Sequence, residues 1–322
     1  MTFRLSRRWA LLAAILGLAA PAAFSQTRFP DRPINWIVGF PPGGSADVMT
    51  RLVAKKLEAK LGQAVVIENR PGASGSIALQ AAAKASPDGY TLITVPGPVL
   101  TTKPQPELGK ELMGIAMLGK GPMVLVGTLA QPLPATLNDL LASARSNPDK
   151  YSFASSGNGT SQHFAGELVN QMAGTKMTHI PYKGGNQAVT DVIGGQVPLA
   201  VLGITPVLPH IRSGKLRAYG VSTAARSPAL PDVPSFREAS GLAAFDASQW
   251  FVVAAASGVP ADRVQVLNAA ISDVLKDPDV ANGFATVGVQ PEAASAQGTT
   301  AFVAADLKRW RELAARSNLP LE

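Results

Sequence analysis

Cysteine is absent from this 322-residue chain, which excludes a thiol nucleophile, a thiolate metal site, a disulfide framework and a lipidated N-terminal Cys. Aromatic residues make up only 6%, too few for the stacking surface that holds single-stranded nucleic acid. Charge of either sign is sparse and scattered. The formal net charge of +7 falls to +4 once Arg4, Arg7 and Arg8 of a leader-like N-terminus are set aside, 29 basic residues less three against 22 acidic. No basic run remains to read as a nucleic-acid or membrane patch, and the balance suits a protein that handles small anions. The three histidines, His163, His179 and His210, have no metal spacing with one another or with a carboxylate, as in H-E-x-x-H. Neither a metal nor a cofactor is expected. There is no G-x-G-x-x-G, and no Lys-Ser/Thr follows the glycine turns as a phosphate loop would require. Beyond the N-terminus no apolar run reaches transmembrane length.

Residues 1–25 read as a secretory leader. Arg4, Arg7 and Arg8 form a positive start, Trp9 to Ala20 an apolar stretch short for a bilayer, and Ala23 and Ser25 place small residues at −3 and −1 of a cleavage before Gln26. Ser6-Arg7-Arg8 also resembles the opening of a twin-arginine signal, so the route stays open while export does not. The expected mature protein is soluble and periplasmic. Its 46% hydrophobic content is enough for one large or two medium cores.

What is present is a repeated local device. An apolar run, Ile34 to Phe40, meets Pro41-Pro42-Gly43-Gly44-Ser45-Ala46-Asp47 and then a helical pattern carrying Val48, Leu52, Val53, Leu57 and Leu61 on one face. Strand, glycine turn and helix start present unpaired backbone N–H groups to an anion. Ser45 is expected to cap that helix and Asp47 to favour its first turn. The device returns at Tyr151 to Ala154, Ser155-Ser156-Gly157-Asn158-Gly159-Thr160-Ser161 and the helix that follows. A third glycine turn, Asn69-Arg70-Pro71-Gly72-Ala73-Ser74-Gly75-Ser76, precedes the helix at Ile77 to Ala85. One such turn is an ordinary βα connection; two in separate α/β units could grip one anion from both sides. Strands and helices alternate through most of the chain, which indicates an α/β fold with largely parallel sheets and ligands at the carboxyl ends of strands. After Trp250 to Ala256 the remainder reads as helical.

Several segments then match one family. Phe29-Pro30-Asp31-Arg32-Pro33, Phe40 to Asp47, Glu68 to Gly75, Pro87 to Leu92, Ala154 to Ser161, His179 to Gly184 and Arg226 to Pro234 resemble the Bug-type extracytoplasmic solute-binding receptors of tripartite tricarboxylate transporters, in order and across the mature chain. The resemblance implies a type II periplasmic-binding-protein fold: two α/β lobes with the ligand cleft between them. Residues 26–124 and 236–322 would form lobe 1, residues 125–235 lobe 2. It further implies a small organic carboxylate held by Gly43, Gly44, Ser45 and Asp47 from one lobe and by Gly157, Asn158, Gly159 and Thr160 from the other. Ala73 and Ser74 would border the cleft, Phe40 would wall it, and Tyr182 joins the set beside Lys183, a pair that could equally begin a helix. The partners implied are the permease subunits of such a transporter. No nucleic acid is expected, and no amphipathic stripe demands a second copy. Members often carry Asp where this chain has Pro198 and Leu202-Gly203, and an Asn-Pro segment where it has Val95-Pro96-Gly97-Pro98-Val99. The missing acid removes the partner of a ligand ammonium, so an amino acid is not the expected ligand. Two other outputs remain: a sensor for a membrane kinase, and an exported serine hydrolase, for which neither Ser74 nor Ser156 sits in G-x-S-x-G.

Overall fold

A computed structural model describes residues 29–98, 105–239 and 241–316. The expected leader, residues 1–25, lies outside the described residues. The first half alternates β1 (Ile34–Val38), α1 (Ser45–Leu61), β2 (Val65–Asn69), α2 (Ser76–Ala83) and β3 (Thr91–Gly97). β1 lies parallel between β2 and β3. Parallel strands are fed through helices packed on the sheet, and α1 meets this demand by burying Met49, Val53 and Leu57.

The element that joins the two halves is β4 (Leu112–Thr128), 17 residues long. From Leu112 to Pro122 it pairs antiparallel with β9 (Ser248–Ala256), itself antiparallel to β3. From Met123 onward it pairs instead with β7 (Leu199–Gly203) and β8 (Leu216–Val221). One strand therefore serves two sheets, as its uninterrupted apolar sequence requires: all but two of its residues are buried. At the switch, Ser222 donates to the carbonyl of Ala247 at 2.6 Å and accepts from the N–H of Met123 at 2.9 Å, stapling the crossing strands together.

The second half adds α3 (Leu137–Ser146), β5 (Ser152–Ser155), α4 (Ser161–Ala173), β6 (Thr178–Pro181), α5 (Gly185–Ile193) and α6 (Ile204–Arg212). β5 is parallel to both β6 and β7. Thr136 caps α3 by accepting from Asp139 N–H. The chain then returns through β9 to α7 (Ala261–Leu275), α8 (Pro278–Thr286), β10 (Gln290–Pro291) and α9 (Ala296–Arg316). The expected all-helical ending is thus interrupted by β10, which pairs with β4 at Gly119 and Lys120. The pairing depends on Gly119, because a Cβ there would stand 2.4 Å from the Gln290 carbonyl oxygen.

The last helix does not stay on one side. Val303 packs with Ile37, Ile93 and Trp250 in a cluster of the first half, whereas Trp310 and Ala314 belong to the cluster of Phe153, Phe164 and Leu168 in the second. Phe236, Leu242 and Phe245 join that second cluster as well. Trp250 Nε1 donates to Asp306 at 2.7 Å, fixing the middle of α9 to the crossing strand.

Candidate functional site

A cavity of about 340 Å³ lies between the two halves. Three helices begin on it. Ser45 opens α1, Ser161 opens α4 and Gly185 opens α5, and all three residues border the cavity. The first N–H groups of each helix have no intrahelical acceptor, and the aligned peptide dipoles add positive potential there. Its apolar walls are Phe40, Pro41, Pro96, Pro98 and Pro206. Among the described residues no Asp or Glu borders it, and Lys183 is the single charged side chain that does.

The first glycine turn is held from behind. Gly43 adopts φ +80°, a conformation that suits glycine, while Gly44 is extended at φ −73°, ψ 167° and acts as the N-cap of α1. Ser45 makes no capping hydrogen bond, contrary to expectation. Asp47, which is 2% exposed, instead braces the turn, accepting from the Gly43 N–H, Arg51 Nε and Asn69 Nδ2, each at 2.9 Å. Asn69 also donates to the Phe40 carbonyl at 3.0 Å. Burial pushes the Asp47 carboxyl upward, but the hydrogen bonds from Arg51, Gly43 and Asn69 outweigh it and hold it below the usual carboxylate range. A carboxyl depressed in the folded state stabilises fully above its unfolded pKa, and the contribution is lost as pH falls through the folded value. We therefore expect the stability gap between wild type and Asp47→Asn, read from melting temperature against pH, to be widest near neutrality. It should narrow below the ordinary Asp value of 3.8; a gap that widens on acidification would overturn this role.

The second glycine turn is braced by imidazoles. Gly157 and Gly159 have φ +136° and +72°. Thr160 caps α4, accepting from His163 N–H, and donates to the Gly157 carbonyl at 2.7 Å. Gly159 N–H donates to His163 Nδ1 at 3.2 Å. His163 stacks on His179 with centroids 3.9 Å apart, and Ser155 Oγ meets His179 Nε2 at 2.7 Å. Burial, with His163 adding to it, lowers the His179 pKa to about 3, so His179 stands neutral. This Ser–His contact has no counterpart in the sequence reading. It does not make a nucleophile: Ser155 is fully buried, and its hydroxyl also bonds the Gly157 backbone.

Of the residues expected at the cleft, Phe40, Gly44, Ser45 and Thr160 border the cavity. Gly43, Asp47, Gly157, Asn158 and Gly159 do not; they belong to the turns just described. Ala73 and Ser74 also stand outside it, and both hold positive φ, 46° and 52°, which L residues adopt at a cost. Ser74 Oγ lies 2.7 Å from where a Cβ on Gly157 would stand, so the turn presses against its opposite number rather than lining the cavity. Tyr182 points away as well. Its hydroxyl donates to Asp191 at 2.6 Å, and burial together with that carboxylate pushes its pKa up to about 12. Across the rim, Asn186 Nδ2 donates to the Pro42 carbonyl at 3.1 Å, and Gly184 leaves room for Pro41.

Sequence reasoning did not select Pro96, Pro98, Gln162, Gln187, Pro206 or Gln249, all of which border the cavity. For Gln249 a signal existed: it is an amide at the head of the apolar strand Trp250 to Ala256. For Pro206, strand–glycine–helix appears once more at Leu202 to Thr205.

A family model described as "Tripartite tricarboxylate transporter family receptor" matches residues 49–319. The chain is 38% identical to protein BugT of Bordetella pertussis over 308 residues, 93% of each chain. Among solved structures it is similar to periplasmic binding protein BugD, with TM-score 0.85 and 31% identity over 90% of this chain and 99% of that one. It is also similar to R. palustris Rpa4515 solved with adipate, with TM-score 0.86 and 29% identity over 90% of this chain and 98% of that one. The fold is accordingly the two-lobed α/β fold of periplasmic binding proteins.

Proposed function

This chain belongs to the tripartite tricarboxylate transporter receptor family, and from that premise we propose that it captures a small carboxylate between its lobes and delivers it to the membrane subunits of such a transporter. The observation that carries the reading is the convergence of three helix N-termini on one cavity that no described acid borders. Backbone N–H groups and helix dipoles favour a carboxylate there, and a ligand ammonium would find no counter-charge. A volume of about 340 Å³ lies at the lower end of ligand pockets, suited to a metabolite of few carbons. The adipate in Rpa4515 is a ligand of that chemical class. The reading includes export to the periplasm after removal of residues 1–25, and no catalytic step.

We take residues 26–124 and 236–322 as one lobe and 125–235 as the other, with residues 236–247 and the end of α9 packing back onto the second. Gly44 and Ser45 would offer the anion their N–H and hydroxyl groups, while Gly43, whose N–H is taken by Asp47, and Thr160, whose hydroxyl donates to Gly157, would hold the two turns in shape. Gly157, Asn158 and Gly159 would shape the opposing turn, and Asp47 would hold its own turn in place. In a thermal-shift and calorimetric screen of mono-, di- and tricarboxylates, a ligand should emerge whose methyl ester binds at least tenfold more weakly. The ester loses charge-assisted hydrogen bonds. Solution scattering should show compaction with the acid and none with the ester. An ester that binds as well as its acid would remove the anion from the site.

A further inference from the structure

Four consecutive residues, Gly72 to Gly75, have positive φ: +140°, +46°, +52° and +92°. The Gly75 N–H donates to the Gly72 carbonyl at 2.9 Å, which closes a tight turn with Ala73 and Ser74 at its centre. Turns of this hand are dominated by Gly, Asn and Asp. Ala73 and Ser74 are the two non-glycine residues with positive φ among the described residues. The local sequence therefore does not choose this form, and such a conformation persists only where the surrounding structure imposes it.

The turn is supported from two sides. Its Gly75 end rests on its own half, since a Cβ there would lie 3.2 Å from Phe40 Cε2. Ala73 is exposed. Ser74 leans on the opposite half, its Oγ and Cβ lying 2.7 and 3.6 Å from where a Cβ on Gly157 would stand. That contact exists only while the halves are together. Gly72 and Gly75 tolerate either sign of φ, so the central pair can leave the left-handed region while the flanking chain stays in place. Resting on the two-lobed receptor reading above, we infer that Ala73-Ser74 is a positioning turn that enters its strained form as the lobes close. Strain confined to the closed form shifts the balance toward the open one. The turn thus opposes closure and helps an occupied receptor reopen and yield its ligand.

The test needs no ligand. The chain has no cysteine, so an introduced disulfide can report closure. A Cβ on Gly184 would lie 3.9 Å from the Pro41 Cβ across the rim, within the roughly 3.5–4.5 Å that a disulfide spans. Gly184 is extended, at φ 160° and ψ 163°, a backbone that cysteine adopts. Protein carrying Pro41→Cys and Gly184→Cys is equilibrated with reduced and oxidised glutathione, and the equilibrium constant of its disulfide is measured. The measurement is repeated with Ala73→Asn and with Ala73→Val added. Asparagine tolerates positive φ and valine does not. The constant should fall at least about threefold from Ala73→Asn to Ala73→Val, with Ala73 itself between them. Melting temperatures of the three reduced proteins should agree, because the open form carries no strain. Equal constants in all three would place the strain permanently in one lobe and overturn the inference, leaving the receptor reading standing. No disulfide in any of them would bring down closure at this rim and the inference with it. Should Ala73→Val fold poorly, the comparison of Ala73→Asn with Ala73 decides by the same order.

Discussion

Gly44→Val should fold like the wild type and bind its carboxylate at least tenfold less tightly, a loss of about 1.4 kcal/mol or more. Gly44 has φ −73°, which valine adopts without strain, and a Cβ there would have only the Pro41 carbonyl oxygen within reach, at 3.6 Å. The backbone thus does not require glycine at this position. Gly44 borders the cavity next to the start of α1, where isopropyl bulk would stand between the ligand and the helix N–H groups. Gly43→Ala makes the contrasting pair. Its φ of +80° strains any Cβ, which would also lie 2.7 Å from Asn186 Nδ2, the donor of the rim hydrogen bond. That variant should lose stability, by about 1 kcal/mol, as well as affinity. Circular dichroism counts folded protein and calorimetry measures its affinity. Wild-type affinity in a folded Gly44→Val protein would put the ligand elsewhere.

Trp310→Ala should cost about 3 kcal/mol of stability, within the range for removing a buried tryptophan. Trp310 is 1% exposed and packs near Phe164, ring centroids 6.4 Å apart. The cost sits at the low end because its indole Nε1 is buried without a partner among the described residues, and removing an unsatisfied donor offsets part of the lost packing. Urea unfolding followed by far-ultraviolet circular dichroism measures the loss. A cost below about 1 kcal/mol would mean that the end of α9 rests on the second core without completing it.

The alternation of strands and helices was legible because each apolar run is bounded by glycine, proline or a hydroxyl cap, and these signals act within a few residues. Thr136 and Thr160 cap the helices their positions announce. Which atom of a glycine turn faces the ligand was not legible, because that depends on where the opposing lobe brings its own residues. Gly43 and Gly44 look alike in sequence, yet one carries the strained φ and the other borders the cavity. Asp47 reads as a ligand-side acid but turns inward to Arg51 and Asn69. Tyr182 and Lys183 were indistinguishable until Asp191, nine residues from the tyrosine, drew its hydroxyl away. Gln249 belongs to a crossing strand, and only tertiary packing places its amide beside Ser45.

The course of α9 has a consequence for the order in which the molecule is completed. The second core draws Phe236 and Phe245 from beyond β8, and Trp310 and Ala314 from near the end of the chain. Such contacts close loops of well over a hundred residues, since Trp310 meets Phe164, and long loops slow folding. A nascent chain emerging from its N-terminus holds the residues of β5 and α4 long before their last packing partner exists. Neither half can be cut free and expected to fold alone. A polypeptide whose second core waits for residue 310 stays unfinished until that residue has been made.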